Sequence, residues 1–209
     1  MLSIPIHCPK IYGLTQCLKH SYVRVNMEEL PIKSRCWGDI WQDYEADSTA
    51  GLIKLCKKYL NKSMRGIEIG SFAGVSSEVL AVYCKELFCI DPWTDCYDLN
   101  NYREISRERL EKAESDFDVI KNKYNNIIKI KDFSFNVYAR FKPHEFDFIY
   151  IDGAHDEQSA RQDILTYRPL IKKGGLLMGH DEIMIRSVIE DLQLNIVEVF
   201  SDTSWVSLA

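Results

Sequence analysis

Apolar residues recur along this chain at two alternating periods, and from about residue 47 the alternation is regular. Leu52, Cys56, Tyr59 and Leu60 fall on one helical stripe, with Asp47 and Ser48 placed to cap it. Residues 65–70 (RGIEIG) read as a short strand that runs into a helix marked by Val75, Val79, Val82 and Tyr83. Residues 87–91 (LFCID) predict the second strand. An amphipathic surface helix follows, with Leu110, Ala113, Phe117, Ile120 and Tyr124 on one face. Residues 126–131 and 146–152 predict two more strands, the latter the most apolar of the set. Ala160, Ile164 and Tyr167 mark a helix that ends near Pro169. A turn at 172–175 (KKGG), a fifth strand at 176–181 and a helix face of Ile185, Val188, Ile189 and Leu192 come next. Residues 195–200 and 204–208 close the chain as strands.

Strands alternating with helices predict a Rossmann-like three-layer α/β sandwich, a mostly parallel sheet with helices on both faces. The last two strands break the alternation. Their link is too short for a parallel crossover, so they must pair as an antiparallel hairpin. A plain dinucleotide-binding domain would normally continue in parallel. Residues 1–45 carry Pro5, Pro9 and Pro31 among scattered aromatics and read as an N-terminal extension, a cover on the substrate side. Residues 46–209 form the domain proper.

Composition narrows the class only coarsely. Hydrophobic residues make up 46% and charged residues 27%, which suits a globular enzyme-sized domain. A net charge of -5 argues against nucleic acid as the main partner, because phosphate neutralisation needs clustered Lys and Arg. No apolar run is long enough to span a membrane, and the start lacks a signal-peptide pattern. Seven cysteines, without a CxxC pair, point to reduced thiols and a cytoplasmic location. The acceptor expected is a small molecule or glycan; assembly into a homo-oligomer is compatible with the sequence.

The first strand-to-helix turn, Glu68-Ile-Gly70-Ser71-Phe-Ala-Gly74, is the strongest chemical feature. Gly70 permits a sharp turn and a close ligand approach, and Gly74 lets the helix start tight against the sheet. The loop is not GxGxxG, and its acid suits a cationic or hydroxylated ligand better than a diphosphate. Asp91 ends the next strand, where a carboxylate accepts hydrogen bonds from ribose hydroxyls. Trp93, just beyond, either lies against an adenine or plugs the sheet edge. Asp132-Phe133-Ser134 follows the third strand, where a loop would cross the base. Asp152 emerges at the carboxyl end of the central strand, beside the crevice where such sheets bind ligands. His155 is placed either as a proton acceptor or as a helix cap. Gly179-His180-Asp181-Glu182 ends the fifth strand and brings Asp181, with His180 or Glu182, to the same rim as Asp152. Such oxygen ligands hold hard cations. The alternative is that Asp181 caps the next helix, with Glu182 in its first turn.

The order EIGSFAG, then IDPW, then FDFIYIDGAHDEQSARQDILTYRPLIKKGGLLMGHD, resembles the class I S-adenosylmethionine (SAM)-dependent methyltransferases. It is most similar to the small O-methyltransferase branch with an Asp-Gly-x-His motif and a terminal His-Asp. The resemblance covers roughly residues 47–209 and implies a seven-stranded sheet whose last strand is antiparallel. It implies that Glu68, Gly70, Ser71 and Gly74 hold the methionine end of SAM. Asp91 and Trp93 would then meet the nucleoside, Phe133 and Ser134 the adenine edge, and Asp152 the reacting end of the cofactor. His155 would be the base, assisted by Asp152. In metal-dependent members the residues matching Asp152 and Asp181 hold a divalent cation, Mg²⁺. This chain carries His180-Asp181 where several of those enzymes have two acids. The activity implied is O-methylation of a small-molecule or sugar hydroxyl. N-methylation and non-catalytic SAM or nucleoside binding are the alternatives; the terminal hairpin and the missing third glycine disfavour an oxidoreductase.

Overall fold

A computed structural model describes residues 49–94, 107–154 and 156–209. The N-terminal extension, the proposed caps Asp47 and Ser48, and the candidate base His155 lie outside the described residues. Strands β1 (Arg65–Ile69), β2 (Glu86–Asp91), β3 (Ile127–Lys131), β4 (Phe146–Ile151), β5 (Ile171–Gly179), β6 (Asn195–Val199) and β7 (Trp205–Leu208) form one sheet in the order β3-β2-β1-β4-β5-β7-β6. Every neighbouring pair is parallel except β5 with β7 and β6 with β7. The expected seven-stranded, mostly parallel sheet with its terminal hairpin is therefore present. The chain leaves β1 toward β2 and returns to its other side at β4, so the topological switch point lies between β1 and β4. Ligands in open sheets of this kind bind outside the carboxyl ends of the strands at that point.

Among the described residues six α-helices alternate with the strands: α1 (Ala50–Tyr59), α2 (Val75–Tyr83), α3 (Arg107–Lys123), the short α4 (Ser134–Val137), α5 (Glu157–Tyr167) and α6 (Arg186–Asp191). Side chains alternate across a strand, and the sheet sorts them accordingly. Ile67, Ile69, Ile149, Ile151 and Leu177 meet Val137 of α4, Ala160, Ile164 and Tyr167 of α5, and Val188 and Ile189 of α6 in one buried cluster. The opposite residues of β1, β2 and β4 include Glu68, Cys89 and Tyr150, all buried. Each fully buried Leu or Ile side chain stabilises the fold by about 1.5–3 kcal/mol.

Local chemistry adjusts several expected boundaries. Helix α1 starts with Thr49 at its N-cap, which makes no side-chain capping bond. The cap comes from far along the chain: Asp202 accepts the Leu52 amide at 2.8 Å, and a Cβ at Gly51 would collide with that carboxylate. Helix α2 buries Ser77, Glu78, Val79, Leu80 and Ala81, while Val75, Val82 and Tyr83 are only half-buried. The expected KKGG turn is part of β5. There the pairing jumps from Phe146↔Ile171 to Phe148↔Leu176, so the four residues Lys172 to Gly175 stand opposite Asp147 alone and bulge within a continuing strand. The residues after Phe133, expected as loop, form α4 and a 3₁₀ turn over Tyr138–Arg140. Among the described residues no helix is long and apolar enough to cross a membrane.

Candidate active site

The glycine loop turns on backbone conformations that ordinary residues avoid. Gly70 and Gly74 have φ of 87° and 86°, and Phe72 between them has φ of 40°. A Cβ at Gly70 would collide with the main-chain carbonyl of Asp152, so only glycine lets the ends of β1 and β4 approach this closely. The loop closes on itself through Gly74 N donating to Ser71 O at 2.7 Å. Gly74 then serves as the N-cap of α2, seated against Phe117 and Ile120 of α3.

Beneath the loop lies Glu68, with none of its surface exposed. Its carboxylate accepts the hydroxyls of Ser71 (2.8 Å), Ser76 (2.6 Å) and Ser77. Burial raises its pKa, and the serine hydrogen bonds oppose that rise. Glu68 and Ser71 thus grip each other from below the loop, and both side chains are buried. Ser76 and Ser77, which complete the grip, escaped the reading of the sequence; two serines opening a helix directly after a glycine loop were their signal.

Asp91 reaches the expected strand end and is 2% exposed. One of its oxygens accepts the Phe72 amide and the other the Trp93 amide, both at 2.8 Å. It therefore staples the glycine loop to β2. Trp93 is 5% exposed, its ring lies 4.9 Å from Phe117, and its indole N–H donates to Phe72 O at 2.7 Å, so it packs into the sheet edge. Lys129, held by Glu114 and Asp118, sits over the same ring.

At the end of β3, Phe133 is half-buried and stacks on Phe135, centroid to centroid 5.1 Å. Ser134 opens α4. Its hydroxyl donates to Asp163 at 2.6 Å, and its carbonyl accepts the Tyr167 hydroxyl at 2.7 Å. Burial pushes the Asp163 carboxyl up to about 6, against the lowering hydrogen bond from Ser134. Nothing in the periodicity singled out Asp163 as a site residue.

The rim beyond β4 and β5 gathers Asp152, His180 and Asp181, each about a quarter exposed. The His180 Nδ1 lies 3.1 Å from Asp181 and 3.7 Å from Asp152. One ligand atom from each residue lies within 4.8 Å of the others, a spacing able to hold a metal ion. Glu182 is not part of the group; it pairs with Arg186 at 2.9 Å. Asp181 does not cap a helix either. It has φ of 55°, and α6 begins five residues later with Ile185 at its N-cap. The cap of α5 is Asp156, whose side chain accepts the Ser159 amide, so the capping role weighed for His155 belongs to its neighbour.

Burial works against charge on His180. The hydrogen bond to Asp181 and the charges of Asp152, Asp181 and Asp202 outweigh it and push the imidazole up to about 9. At neutral pH the ring is a cation between two carboxylates. A histidine raised in the folded state stabilises it fully below its ordinary value near 6.5, and the benefit disappears as pH rises through about 9. That benefit is worth about 3 kcal/mol. Urea denaturation at pH 6 and pH 10 should show wild type losing about 2–3 kcal/mol more than His180→Gln over this interval.

Residues 67–182, more than half of the chain, match the family model described as a methyltransferase domain. No curated protein matches the sequence. Among solved structures, the chain resembles phosphoethanolamine N-methyltransferase 1 of Haemonchus contortus, in complex with phosphoethanolamine and S-adenosylhomocysteine (SAH). That likeness has a TM-score of 0.50 and 14% identity, over 68% of this chain but only 26% of that one. It also resembles precorrin 8W decarboxylase of Methanobacterium thermoautotrophicum (TM-score 0.53, 11% identity, 76% of this chain and 87% of that one). A third is a Streptococcus mutans protein in complex with SAH (TM-score 0.50, 9% identity, 74% and 92%). At these identities the likenesses establish the fold alone. The family follows from the sequence match over the glycine loop, the Asp91 strand end and the Asp152–His180–Asp181 rim: this chain belongs to the methyltransferase-domain family.

Proposed function

We propose that the protein is a SAM-dependent O-methyltransferase that acts on a hydroxyl of a small molecule or sugar. The observation that carries the reading is the Asp152–His180–Asp181 group at the carboxyl ends of β4 and β5, touching the glycine loop through the Gly70–Asp152 approach. A cofactor held over that loop would have its reactive end beside this rim. Two of the structurally similar proteins were crystallised with SAH, which supports the choice of cofactor.

SAM held over the glycine loop would supply an electrophilic methyl group to the acceptor oxygen, with SAH as the leaving product. Positioning supplies much of the rate. The hydroxyl proton must go to a base. His180 is already protonated at neutral pH, so the base assigned is His155, with Asp152 and Asp181 orienting the acceptor. Turnover that survives His155→Ala with SAM still bound would remove that assignment.

The same three rim residues are the set that would hold a divalent cation. One imidazole nitrogen with two carboxylate oxygens suits Mn²⁺ or Zn²⁺ better than Mg²⁺, which favours oxygen ligands. A bound cation would supply Lewis-acid polarisation of the acceptor hydroxyl. It would also have to displace the His180 proton. Undiminished activity after thorough EDTA treatment would dispose of a metal requirement.

Isothermal titration with SAM, SAH and NAD tests the cofactor directly. SAM and SAH should bind and NAD should not; binding of NAD without SAM would overturn the assignment. Hydroxyl and amine acceptors tried in parallel then separate O- from N-methylation.

A further inference from the structure

The end of the sheet opposite the rim has a cavity of its own, of about 580 Å³, lined by His144, Arg168, Ile171, Lys172, Lys173 and Ala209. It lies at the amino ends of β4 and β5, whereas Asp152, His180 and Asp181 follow the carboxyl ends of the same strands. β4 is six residues long, so about 20 Å of strand separates the two places. Four of the six lining residues are of basic type, in a chain whose net charge is -5. Like charges gathered against their mutual repulsion make a local field that attracts an anion.

The backbone around the cavity is specialised. The bulge of Lys172 to Gly175 opposite Asp147 pushes both lysines out of the strand ladder. Gly174 has φ of 76°, and a Cβ at Gly175 would collide with the main-chain carbonyl of Asp147. His144 has φ of 57°, uncommon for a residue with a side chain. Its amide donates to Pro169 O at 3.1 Å, and its Nδ1 lies 2.9 Å from Ile171 O. A carbonyl only accepts, so Nδ1 carries the hydrogen and Nε2 is the nitrogen left for a ligand. The neighbouring carboxylates are already used. Asp147 takes Lys172 at 2.7 Å and the Arg65 amide at 2.8 Å; Glu145 takes the Lys142 amide at 2.9 Å and the Arg65 guanidinium at 3.4 Å. Arg168 and Lys173 form no ion pair among the described residues, and Ala209 brings at most one carboxylate against them.

We infer that this cavity is a binding site for the phosphate group of a small molecule, separate from the cofactor site. The Arg168 guanidinium can give two parallel hydrogen bonds to phosphate oxygens, and the Lys173 ammonium adds a point charge. The His144 Nε2, when protonated, is a third donor. A carboxylate ligand, with one charge and two oxygens, would leave part of this set unmatched. Ile171 adds apolar surface for the rest of an ester, and the volume falls in the range of small-molecule sites. The alternative is a solvated patch of surface cations. Such a patch predicts the same small loss whichever pair of cations is removed.

Isothermal titration with inorganic phosphate and with glycerol phosphate, at constant ionic strength, reads the site. At least one should bind with millimolar affinity or better, and the tighter of the two tells a free ion from an ester. The double variant Arg168→Ala/Lys173→Ala should bind at least about tenfold more weakly, with its melting temperature unchanged. Lys54→Ala/Lys57→Ala removes the same charge from exposed positions of α1 and should bind as wild type does. On phosphate addition the NMR amide signals of residues 168–174 should shift. Absence of binding by wild type, an equal loss in the two double variants, or shifts confined to the loop of Gly70 to Gly74 would overturn the inference.

Discussion

Replacing Glu68 with alanine is expected to destabilise the fold by about 3–5 kcal/mol and to abolish SAH binding. The carboxylate is the acceptor shared by Ser71, Ser76 and Ser77, so its removal strips a partner from three hydroxyls in a buried space and opens a cavity among them. Some of that loss is recovered because serine hydroxyls can turn toward backbone carbonyls. For a domain of this size the change corresponds to a fall in melting temperature of roughly 10 °C. Glu68→Gln separates geometry from charge. The amide keeps an oxygen acceptor and offers its nitrogen to a hydroxyl oxygen, and it avoids the burial cost of a charge, so about 1–2 kcal/mol should be lost. Thermal and urea denaturation of the two variants measure both values, and titration with SAH measures the loop. An alanine variant as stable as wild type would mean that the serines do not depend on Glu68.

That arrangement shows where sequence reasoning stops. The glycines and the acid of the first turn announce a ligand loop by themselves, because φ near 87° at Gly70 and the approach to Asp152 admit nothing larger. Which way the acid points is decided by packing between elements. Glu68 lies on the face of β1 that α2 covers, and only the folded helix reveals that Ser76 and Ser77 meet it. Trp93 makes the same point. An indole beside a nucleoside position is compatible with stacking or with plugging, and its contact with Phe117, twenty-four residues later, is visible only in the fold.

The sheet was legible for a different reason. Strand and helix periods are local, and the short final link excludes a parallel crossover. The insertion of β7 between β5 and β6 was not legible, because strand order depends on which edges find each other in space. Lys172 to Gly175 misled because two glycines after two lysines mark turns on average. Here the flanking residues Ile171 and Leu176 both pair with β4, so all four residues bulge within a continuing strand. Asp163 was missed because a stripe is read from its apolar members, and a carboxylate inside it registers only once burial is seen.

The rim carries the second large effect. Asp152→Asn should lower turnover by about two to three orders of magnitude, with SAH affinity changed only a few fold. The separation follows from how Asp152 is built in. Its backbone amide donates to Ile69 O at 2.8 Å and its carbonyl is the surface Gly70 packs on, and neither depends on the side chain. The glycine loop should therefore keep its shape in the variant. What changes is the charge 3.7 Å from His180, one of those that hold the imidazole up at about 9. Its loss frees the ring to turn wholly toward Asp181 and weakens the hold on an acceptor hydroxyl between them. A displacement of about 1 Å at a reacting group costs on the order of 100-fold in rate. NMR titration supplies a readout that needs no acceptor: the His180 pKa should move down from about 9 in Asp152→Asn, and again in Asp181→Asn. Unchanged turnover together with an unchanged His180 titration would show that the rim acts neither as one electrostatic unit nor on the acceptor.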